Sequence, residues 1–402
     1  MTNTAAWTPQ EGADRATALA TETFGAPPVG VWCAPGRVNL IGEHVDYNGG
    51  TSAPIALPHC TYAAVTPRDD LTLRIVSEQT GEVVEVGLED FPEGEGSWVS
   101  YVAGTLKALD KLGYLPLQGM DVAITSCVPL GAGLSSSAAL ECAVALAAAD
   151  LGEPSEEFKA LDEDGKRAAL ARACVIAEND YAGAATGGMD QAASLRAKQG
   201  RALAFNAKDG SVTHVPLDLE AWDYTLLVID TRASHTLADG QYASRREASE
   251  NAAALLGFDL LADATEADLE RLEDPLLLRR ARHVVTEVAR TDDFLEELSA
   301  ADPDRIGEIG RLMTASHASL RDDYEVSCEE LDVAVDAALG AGAVGARMTG
   351  GGFGGSAIAL VPNGVLAQVE SAVLEAFNER GFRAPDLIEA VASKPARKVS
   401  AF

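Results

Sequence analysis

The feature that most constrains the fold of this chain is a glycine- and serine-rich loop between a predicted strand and a predicted helix. The strand covers Met120–Cys127, the loop PLGAGLSSSAAL covers Pro129–Leu140, and the helix covers Ser136–Leu151. Because this helix is rich in Ala, Val and Leu on all faces, it is expected to be buried in the core of a domain. The loop therefore lies at the N-terminus of a buried helix, where free backbone amides and the helix dipole favour an anion.

The composition of the loop is typical of a phosphate-binding segment. Gly131 and Gly133 permit backbone conformations that point successive amides inward and let phosphate oxygens approach without a Cβ in the way. The loop has no GxxxxGK[ST] pattern and no lysine, which excludes a Walker-type site. A serine-capped helix after a glycine turn is the structural alternative. The residues predicted to bind ATP here are Gly131, Ala132, Gly133, Leu134, Ser135, Ser136 and Ser137.

The charge of the chain limits the partners it can have. There are 62 acidic and 31 basic residues, a net charge of −31, and no run rich in Lys or Arg. We therefore expect neither a nucleic acid nor an anionic membrane as a partner. The same charge repels a nucleotide triphosphate, so an ATP site requires local positive potential from backbone amides, a few arginines and Mg2+.

Length and element order predict two domains of the α+β class. A chain of 402 residues with 47% hydrophobic residues is too long for one ordinary core. Strands precede helices in each half, which favours α+β over alternating α/β. We place the boundary near Ser194, which gives domains at 1–194 and 195–402.

Two further features predict a soluble, cytoplasmic protein. The six cysteines are scattered, with no CxxC pair, which is typical of free and mostly buried thiols. The first residues have neither a basic region nor an apolar core, and no later stretch reaches transmembrane length free of charges.

A second motif, GRVNLIGEHVDYNGG at Gly36–Gly50, concentrates polar groups of mixed type after a predicted strand at Val29–Cys33. Adjacent donors and acceptors of this kind suit a polyol. The polar residues are Arg37, Asn39, Glu43, His44 and Asp46.

Together with RMTGGGFGGSAIAL at Arg347–Leu360, these segments resemble, in order, the three motifs of the GHMP kinases. Within that family, GEHVDY at Gly42–Tyr47 is similar to the galactokinase signature. The resemblance implies a two-domain GHMP-kinase-like fold, with a mixed or antiparallel sheet packed with helices in each domain and the active site in the cleft between them. It also implies an enzyme that phosphorylates α-D-galactose at the anomeric hydroxyl, with ATP as co-substrate and Mg2+ as cofactor. We expect this enzyme to be a monomer.

The resemblance also implies roles for individual residues. TGGMDQ at Thr186–Gln191 is similar to the segment that holds the catalytic aspartate, here Asp190, with Arg37 beside it to stabilise the transferring phosphoryl group. Ser137 and Glu178 are the implied Mg2+ ligands, with Ser136 as a rival to Ser137. The residues implied to bind the sugar are Glu43, His44, Asp46, Gly187 and Tyr242, and those implied near the adenine are Ser77 and Trp98.

Three alternatives stay open at this point. Asp190 is a weak base toward an alcohol, so it either abstracts the proton or mainly positions the hydroxyl and accepts the proton late. The acceptor could be a related sugar such as N-acetylgalactosamine or arabinose. The chain could also be a non-catalytic sensor of galactose and ATP, although its phosphate loop and Asp190 are intact.

Overall fold

The structure is a computed structural model that describes residues 5–184, 186–233 and 238–401. Over these residues the strands form three sheets, of six, four and three strands. The helices are α1 (Pro9–Phe24), α2 (Trp98–Lys111), α3 (Ser136–Leu151), α4 (Glu156–Ala160), α5 (Glu163–Ile176), α6 (Met189–Arg196), α7 (Ala238–Leu256), α8 (Pro275–Ser299), α9 (Ile306–Asp322), α10 (Glu329–Gly340) and α11 (Leu366–Arg380). The strands are β1 (Gly30–Asn39), β2 (Thr51–Ser52), β3 (Pro54–Pro67), β4 (Thr72–Ser77), β5 (Val83–Gly87), β6 (Met120–Ser126), β7 (Arg201–Asn206), β8 (Val212–Pro216), β9 (Tyr224–Asp230), β10 (Gly345–Thr349), β11 (Ser356–Pro362), β12 (Asp386–Ala390) and β13 (Arg397–Ala401).

The first sheet has the order β13-β1-β3-β6-β4-β5, and only the pairing of β4 with β6 is parallel among its described strands. Helix α3 packs against β1 and β3 and lies in one core with α2 and α5. On the other face, α1 contacts β6 and β3 through small residues, Gly12, Ala13, Ala16 and Ala20. The prediction of a buried helix at Ser136–Leu151 is therefore confirmed to the residue.

The second part of the chain is built on the antiparallel sheet β10-β11-β9-β12. Helices α9, α10 and α11 pack against β10 or β11. The three-stranded sheet β2-β7-β8 joins the two parts, since β2 comes from the first and β7 from the second. The boundary at residues 194 and 195 stays a prediction, although β13 lies in the first sheet, beside β1.

Strand β1 extends beyond its predicted end, so the first residues of the polar motif lie on this strand. It was predicted to stop at Cys33 but continues to Asn39, with an irregularity between Pro35 and Arg37 in its pairing to β3. Position 36 requires glycine, because a Cβ there would lie 2.5 Å from the Leu134 carbonyl oxygen of the phosphate loop. Arg37 and Asn39 are thus on a rigid strand rather than on a loop.

Three strands were not predicted from the sequence: β8, β10 and β13. Strand β10 (GARMT) has only one β-branched residue, and it is fixed instead by its pairing with β11 and by contact with α9. Over the described part of the chain, no helix has the length and apolar character needed to cross a bilayer. Each of the six cysteines is a free thiol, and all but Cys328 are buried, as predicted.

Helix α9 lies so close to the chain entering β10 that only glycine fits at the contact. A Cβ on Gly310 would lie 2.2 Å from the Val344 carbonyl oxygen, and a Cβ on Gly345 would lie 2.3 Å from the Gly310 Cα. We expect Gly310→Ala to lower the free energy of unfolding by about 1–3 kcal/mol, because the helix has to move off the strand. Denaturant unfolding measures this change.

Gly307→Ala is the matched control, since Gly307 is on the same helix and a Cβ there would meet no atom within 4 Å. It should be neutral or slightly stabilising, because alanine is the better helix former. Equal stability of the two variants would contradict the tight contact.

Candidate active site

A small polar cavity of about 170 Å3 lies between the end of β1, the start of α6 and the third glycine segment. It is lined by Arg37, Glu43, His44, Asp46, Thr186, Gly188, Met189, Asp190, Tyr242, Gly350 and Gly351. A larger groove of about 470 Å3 runs beside β9 and β12, but none of its lining residues is basic. Of these two cavities, only the smaller has a cationic side chain, Arg37. A third groove of about 600 Å3 is lined by Arg167, Arg196 and Lys198, but by no residue of the three glycine-rich motifs.

The ion pair of Arg37 with Asp190 forms the floor of this cavity. The guanidinium donates from Nε and Nη2 to the two carboxylate oxygens of Asp190, at 2.8 and 2.9 Å, and from Nη1 to the Gly133 carbonyl at 2.7 Å. Burial would lower the pKa of Arg37, but the charges of Asp190 and Glu43 outweigh it and raise that pKa above its usual value. The structure thus brings both predicted catalytic residues together and ties them to the phosphate loop.

The phosphate loop has the backbone conformation predicted for an anion cradle. Gly131 and Gly133 have φ of 73° and 70°, and Ser135 is left-handed at φ 59°. The Ser135 hydroxyl does not cap α3 but donates to Asp190. The third glycine segment packs closely against the phosphate loop, since a Cβ on Gly350 would lie 2.9 Å from the Gly133 carbonyl oxygen.

The two residues implied near the adenine lie outside the cavity lining. Ser77 is buried at the end of β4 and donates to the Gln79 side chain at 3.2 Å, while Gln79 donates to the Ser126 carbonyl just before the loop. The Trp98 indole nitrogen donates to Glu82 at 3.2 Å. Ser77 is thus connected to the approach of the phosphate loop, and its role toward adenine stays a prediction.

The two residues implied as Mg2+ ligands are neighbours. The Ser137 hydroxyl donates to Glu178 Oε1 at 2.9 Å, and Glu178 Oε2 accepts from Thr186 Oγ1 at 3.0 Å and Gln191 Nε2 at 2.6 Å. Glu178 lies in a π-helical turn, Ala177–Tyr181, that continues α5. Burial and the charge of Asp190 raise the pKa of Glu178.

This donor set fits Mg2+, which takes oxygen ligands and only a few of them from protein. No group of three or more His, Cys, Asp or Glu side chains among the described residues is arranged to hold a metal ion. The pair of Ser137 and Glu178 would therefore hold the ion together with nucleotide phosphates rather than alone.

Glu43 and His44 connect the polar motif to the third glycine segment. Glu43 is buried, and its Oε1 accepts from the Gly350 amide at 2.7 Å and lies 3.0 Å from Thr349 Oγ1. His44 has its Nε2 3.2 Å from the Gly351 carbonyl and its Nδ1 2.8 Å from the Tyr47 hydroxyl. Since a carbonyl only accepts, Nε2 carries the proton and Nδ1 accepts from Tyr47.

The His44 ring stays neutral over the physiological range. Burial and the neighbouring His283 lower its pKa to about 3. Tyr47 in turn lies 2.9 Å from the Tyr324 hydroxyl, and Tyr242 of α7 packs against His44 with the ring centroids 5.3 Å apart. The histidine thus presents a fixed tautomer inside an aromatic cluster.

The surroundings of Asp46 change its protonation. Burial, followed by the charge of Asp190, raises the pKa of Asp46 to about 6. Gly187 packs directly on it, since a Cβ on Gly187 would lie 2.6 Å from the Asp46 carboxylate and 2.5 Å from the Tyr47 amide nitrogen. The predicted sugar-binding residues Asp46 and Gly187 are therefore in contact.

Several residues around the site were missed from the sequence. Tyr47 lies within the GEHVDY motif, and Thr186 and Gln191 bracket the TGGMDQ segment, so proximity to a motif was a usable signal. Glu141 directly follows the loop motif at Leu140 and shared that signal, whereas Tyr324 had none. Tyr324 follows the last residue of α9 by two positions, and its contact with Tyr47 exists only in the folded chain.

Comparison with known proteins agrees with this geometry. The model of the galactokinase galactose-binding signature matches residues 21–67, that of the GHMP kinases N terminal domain matches 100–198, and that of the GHMP kinases C terminal matches 294–379. A galactokinase of Streptomyces coelicolor is 49% identical over 385 residues, which cover 94% of this chain and 96% of the relative. The chain belongs to the galactokinase family of GHMP kinases.

Other relatives extend the comparison. A galactokinase of Mycobacterium tuberculosis is 42% identical over 355 residues, covering 88% of this chain and 94% of the relative. The crystal structure of Lactococcus lactis galactokinase complexed with galactose has a TM-score of 0.87 at 31% identity, covering 96% of this chain and 99% of that one. A Methanococcus jannaschii mevalonate kinase, at 18% identity and a TM-score of 0.56 over 90% and 98% of the two chains, shares the fold. The predicted two-domain GHMP-kinase fold of the α+β class is confirmed.

The raised pKa of Asp46 predicts a conflict between stability and sugar binding. Because the folded state binds this proton more tightly than the unfolded chain, whose Asp titrates near 3.8, ionised Asp46 destabilises the fold above pH 6. We expect Asp46→Asn to stabilise the protein by on the order of 2 kcal/mol at pH 7.5. This stabilisation by Asp46→Asn should shrink as the pH falls through 6 toward 4. At neutral pH the variant should bind galactose more weakly than the unmodified chain.

Thermal unfolding between pH 5 and 8 and calorimetric titration with galactose measure the two effects. The exposed Asp69 provides the control, and Asp69→Asn should change neither quantity. A stability difference between Asp46→Asn and the unmodified chain that did not vary with pH would contradict the raised pKa.

The contact of Gly187 with Asp46 predicts a sugar-specific defect. In Gly187→Ala the new methyl group has to displace the Asp46 carboxylate, so we expect the KM for galactose to rise by about tenfold to a hundredfold. The KM for ATP should change little. Steady-state kinetics measure both constants.

Gly240→Ala is the control for this variant, because Gly240 is exposed on α7 and a Cβ there would meet no atom within 4 Å. Its kinetics should match those of the unmodified enzyme. A normal KM for galactose in Gly187→Ala would show that Asp46 does not contact the sugar.

Proposed function

We propose that this chain transfers the γ-phosphoryl group of ATP to the anomeric hydroxyl of α-D-galactose, giving galactose 1-phosphate and ADP. The observation that carries the proposal is the Arg37–Asp190 pair, which lies in a polar cavity and is hydrogen-bonded to the phosphate loop. The galactokinase relatives and the structural likeness to a galactose-bound galactokinase support galactose as the acceptor.

In this proposal the carboxylates and ring groups around the cavity recognise the sugar. The side-chain oxygens of Asp46 and Glu43 accept hydrogen bonds from hydroxyls, and Tyr242 and Gly187 limit the space beside them. An epimer that left such a buried carboxylate unpaired would bind poorly, which gives the site discrimination beyond size.

Asp190 accepts the proton of the attacking hydroxyl. The anomeric oxygen forms its bond to the γ-phosphorus, the bond from that phosphorus to the bridging oxygen of ADP breaks, and the proton passes to the Asp190 carboxylate. Because phosphoryl transfer has a loose transition state, little deprotonation is needed early. Asp190 then acts mainly by holding the hydroxyl in line with the γ-phosphorus. Arg37 orients the Asp190 carboxylate and stabilises the charge on the phosphoryl oxygens.

The phosphates are held largely without side-chain cations. Loop amides at the N-terminus of α3 face them, and Arg37 is the basic side chain that lines the cavity. Ser137 and Glu178 would hold Mg2+, which would supply positive charge to neutralise the phosphate oxygens. We further propose that the enzyme is a cytoplasmic monomer and divides into domains near residue 194.

The test is an ADP-release assay with galactose, N-acetylgalactosamine, arabinose, mevalonate and homoserine as acceptors. We expect turnover with galactose that depends on Mg2+. If another sugar were phosphorylated in preference to galactose, that sugar would be the acceptor. Saturable ATP binding without turnover of any acceptor would favour the sensor alternative.

The proposed role of Asp190 is tested by Asp190→Asn. The amide keeps an acceptor for Arg37 but cannot take up the hydroxyl proton, so we expect kcat to fall by about 10²–10⁴-fold. Galactose affinity, measured by calorimetry, should change only a few-fold. A variant that kept most of its kcat with unchanged affinity would remove Asp190 from the mechanism.

A further inference from the structure

A second buried carboxyl group lies behind the candidate metal site and has no part in the mechanism above. Glu141 is on α3, one turn after Ser137, and its exposed fraction is 0%. Its neighbours on that helix are mainly alanines, valines and leucines. A carboxyl group in such a place costs free energy that a leucine would not, so its presence calls for a specific contact.

That contact is the side-chain amide of Gln191. The Gln191 Nε2 donates to Glu178 Oε2 at 2.6 Å and to Glu141 Oε2 at 3.1 Å. The two amide hydrogens thus have one carboxyl acceptor each. The outer oxygens, Glu141 Oε1 and Gln191 Oε1, are buried and have no hydrogen-bond partner among the described residues.

This bridge connects the elements that carry the candidate metal and catalytic groups. Glu141 and Ser137 share α3, Glu178 is in the π-helical turn, and Gln191 follows Asp190 on α6. If the amide turned over, its oxygen would face two carboxyl groups and Glu178 would lose a donor. With Glu178 accepting one amide hydrogen, Glu141 Oε2 accepts the other and so stabilises the observed amide orientation.

Burial, with the nearby charge of Glu178, raises the pKa of Glu141 well above its ordinary value. A neutral carboxyl group still accepts from an amide through its carbonyl oxygen. The bridge thus depends on an acceptor at this position and not on a negative charge, which makes glutamine a conservative replacement for Glu141.

We propose that Glu141 is a positioning residue: through the Gln191 amide it holds the Glu178 carboxylate in the orientation that binds Mg2+ together with Ser137. This inference rests on the proposed function, since it takes Glu178 as a metal ligand. Partners behind the ligands of a metal site commonly change metal affinity by about 10–100-fold when they are removed.

The test compares Glu141→Leu, which removes the acceptor, with Glu141→Gln, which keeps it. Binding of Mn2+ to the full chain, with a non-hydrolysable ATP analogue and galactose present, is followed by electron paramagnetic resonance. We expect Glu141→Leu to weaken Mn2+ binding by about tenfold or more and Glu141→Gln to restore it to within a few-fold. Galactose affinity should be unchanged in both variants.

A double-mutant cycle adds Gln191→Met, which removes the bridging amide and also serves if Glu141→Leu does not fold. Because Glu141 acts only through Gln191, adding Glu141→Leu to Gln191→Met should weaken Mn2+ binding no further. Additive losses would overturn the inference. So would normal Mn2+ binding in Gln191→Met, or a Glu141→Gln variant as defective as Glu141→Leu.

The unmodified chain separates the two proposals. If it does not phosphorylate galactose, the proposed function fails. If it does so with Mg2+, but Glu141→Leu loses only thermal stability and keeps normal Mn2+ binding, Glu141 is merely structural and this inference alone fails.

Discussion

The bidentate pair of Arg37 and Asp190 is the interaction on which the arrangement of the site depends. Arg37 is on β1, Asp190 is on α6, and the remaining guanidinium nitrogen donates to the Gly133 carbonyl in the phosphate loop. One buried side chain therefore fixes a strand, a helix and a loop relative to one another. Because breaking a buried pair leaves an uncompensated charge, these three elements are expected to stay together.

Several carboxyl groups lie close to one another around this ion pair. Asp46, Glu141 and Glu178 all have a pKa above the ordinary value, and in each case burial is the first cause and a neighbouring carboxylate the second. A cation bound beside these carboxyl groups would relieve the repulsion among them. A ligand that relieves it stabilises the folded state in proportion to its binding.

The parts of this architecture that follow from local pattern could be predicted, and the parts that follow from long-range packing could not. Helix α3 was predicted to the residue, because an apolar helix behind glycines and serines is a local signal. Strand β10 lacks β-branched character and is defined by its neighbours. Likewise, Glu141 looks like an ordinary helix residue until Gln191, fifty positions away, is folded against it.

The pairing of β13 with β1 has a consequence for how the chain is made. The strand that carries Arg37 is bordered on one side by β3, which follows soon after it, and on the other by a strand from the opposite end of the sequence. During synthesis, this edge of β1 therefore remains unpaired until Arg397–Ala401 has left the ribosome. Such an edge can pair with strands of other chains, so the interval before β13 is made is the one in which the nascent protein is most exposed to association through this edge.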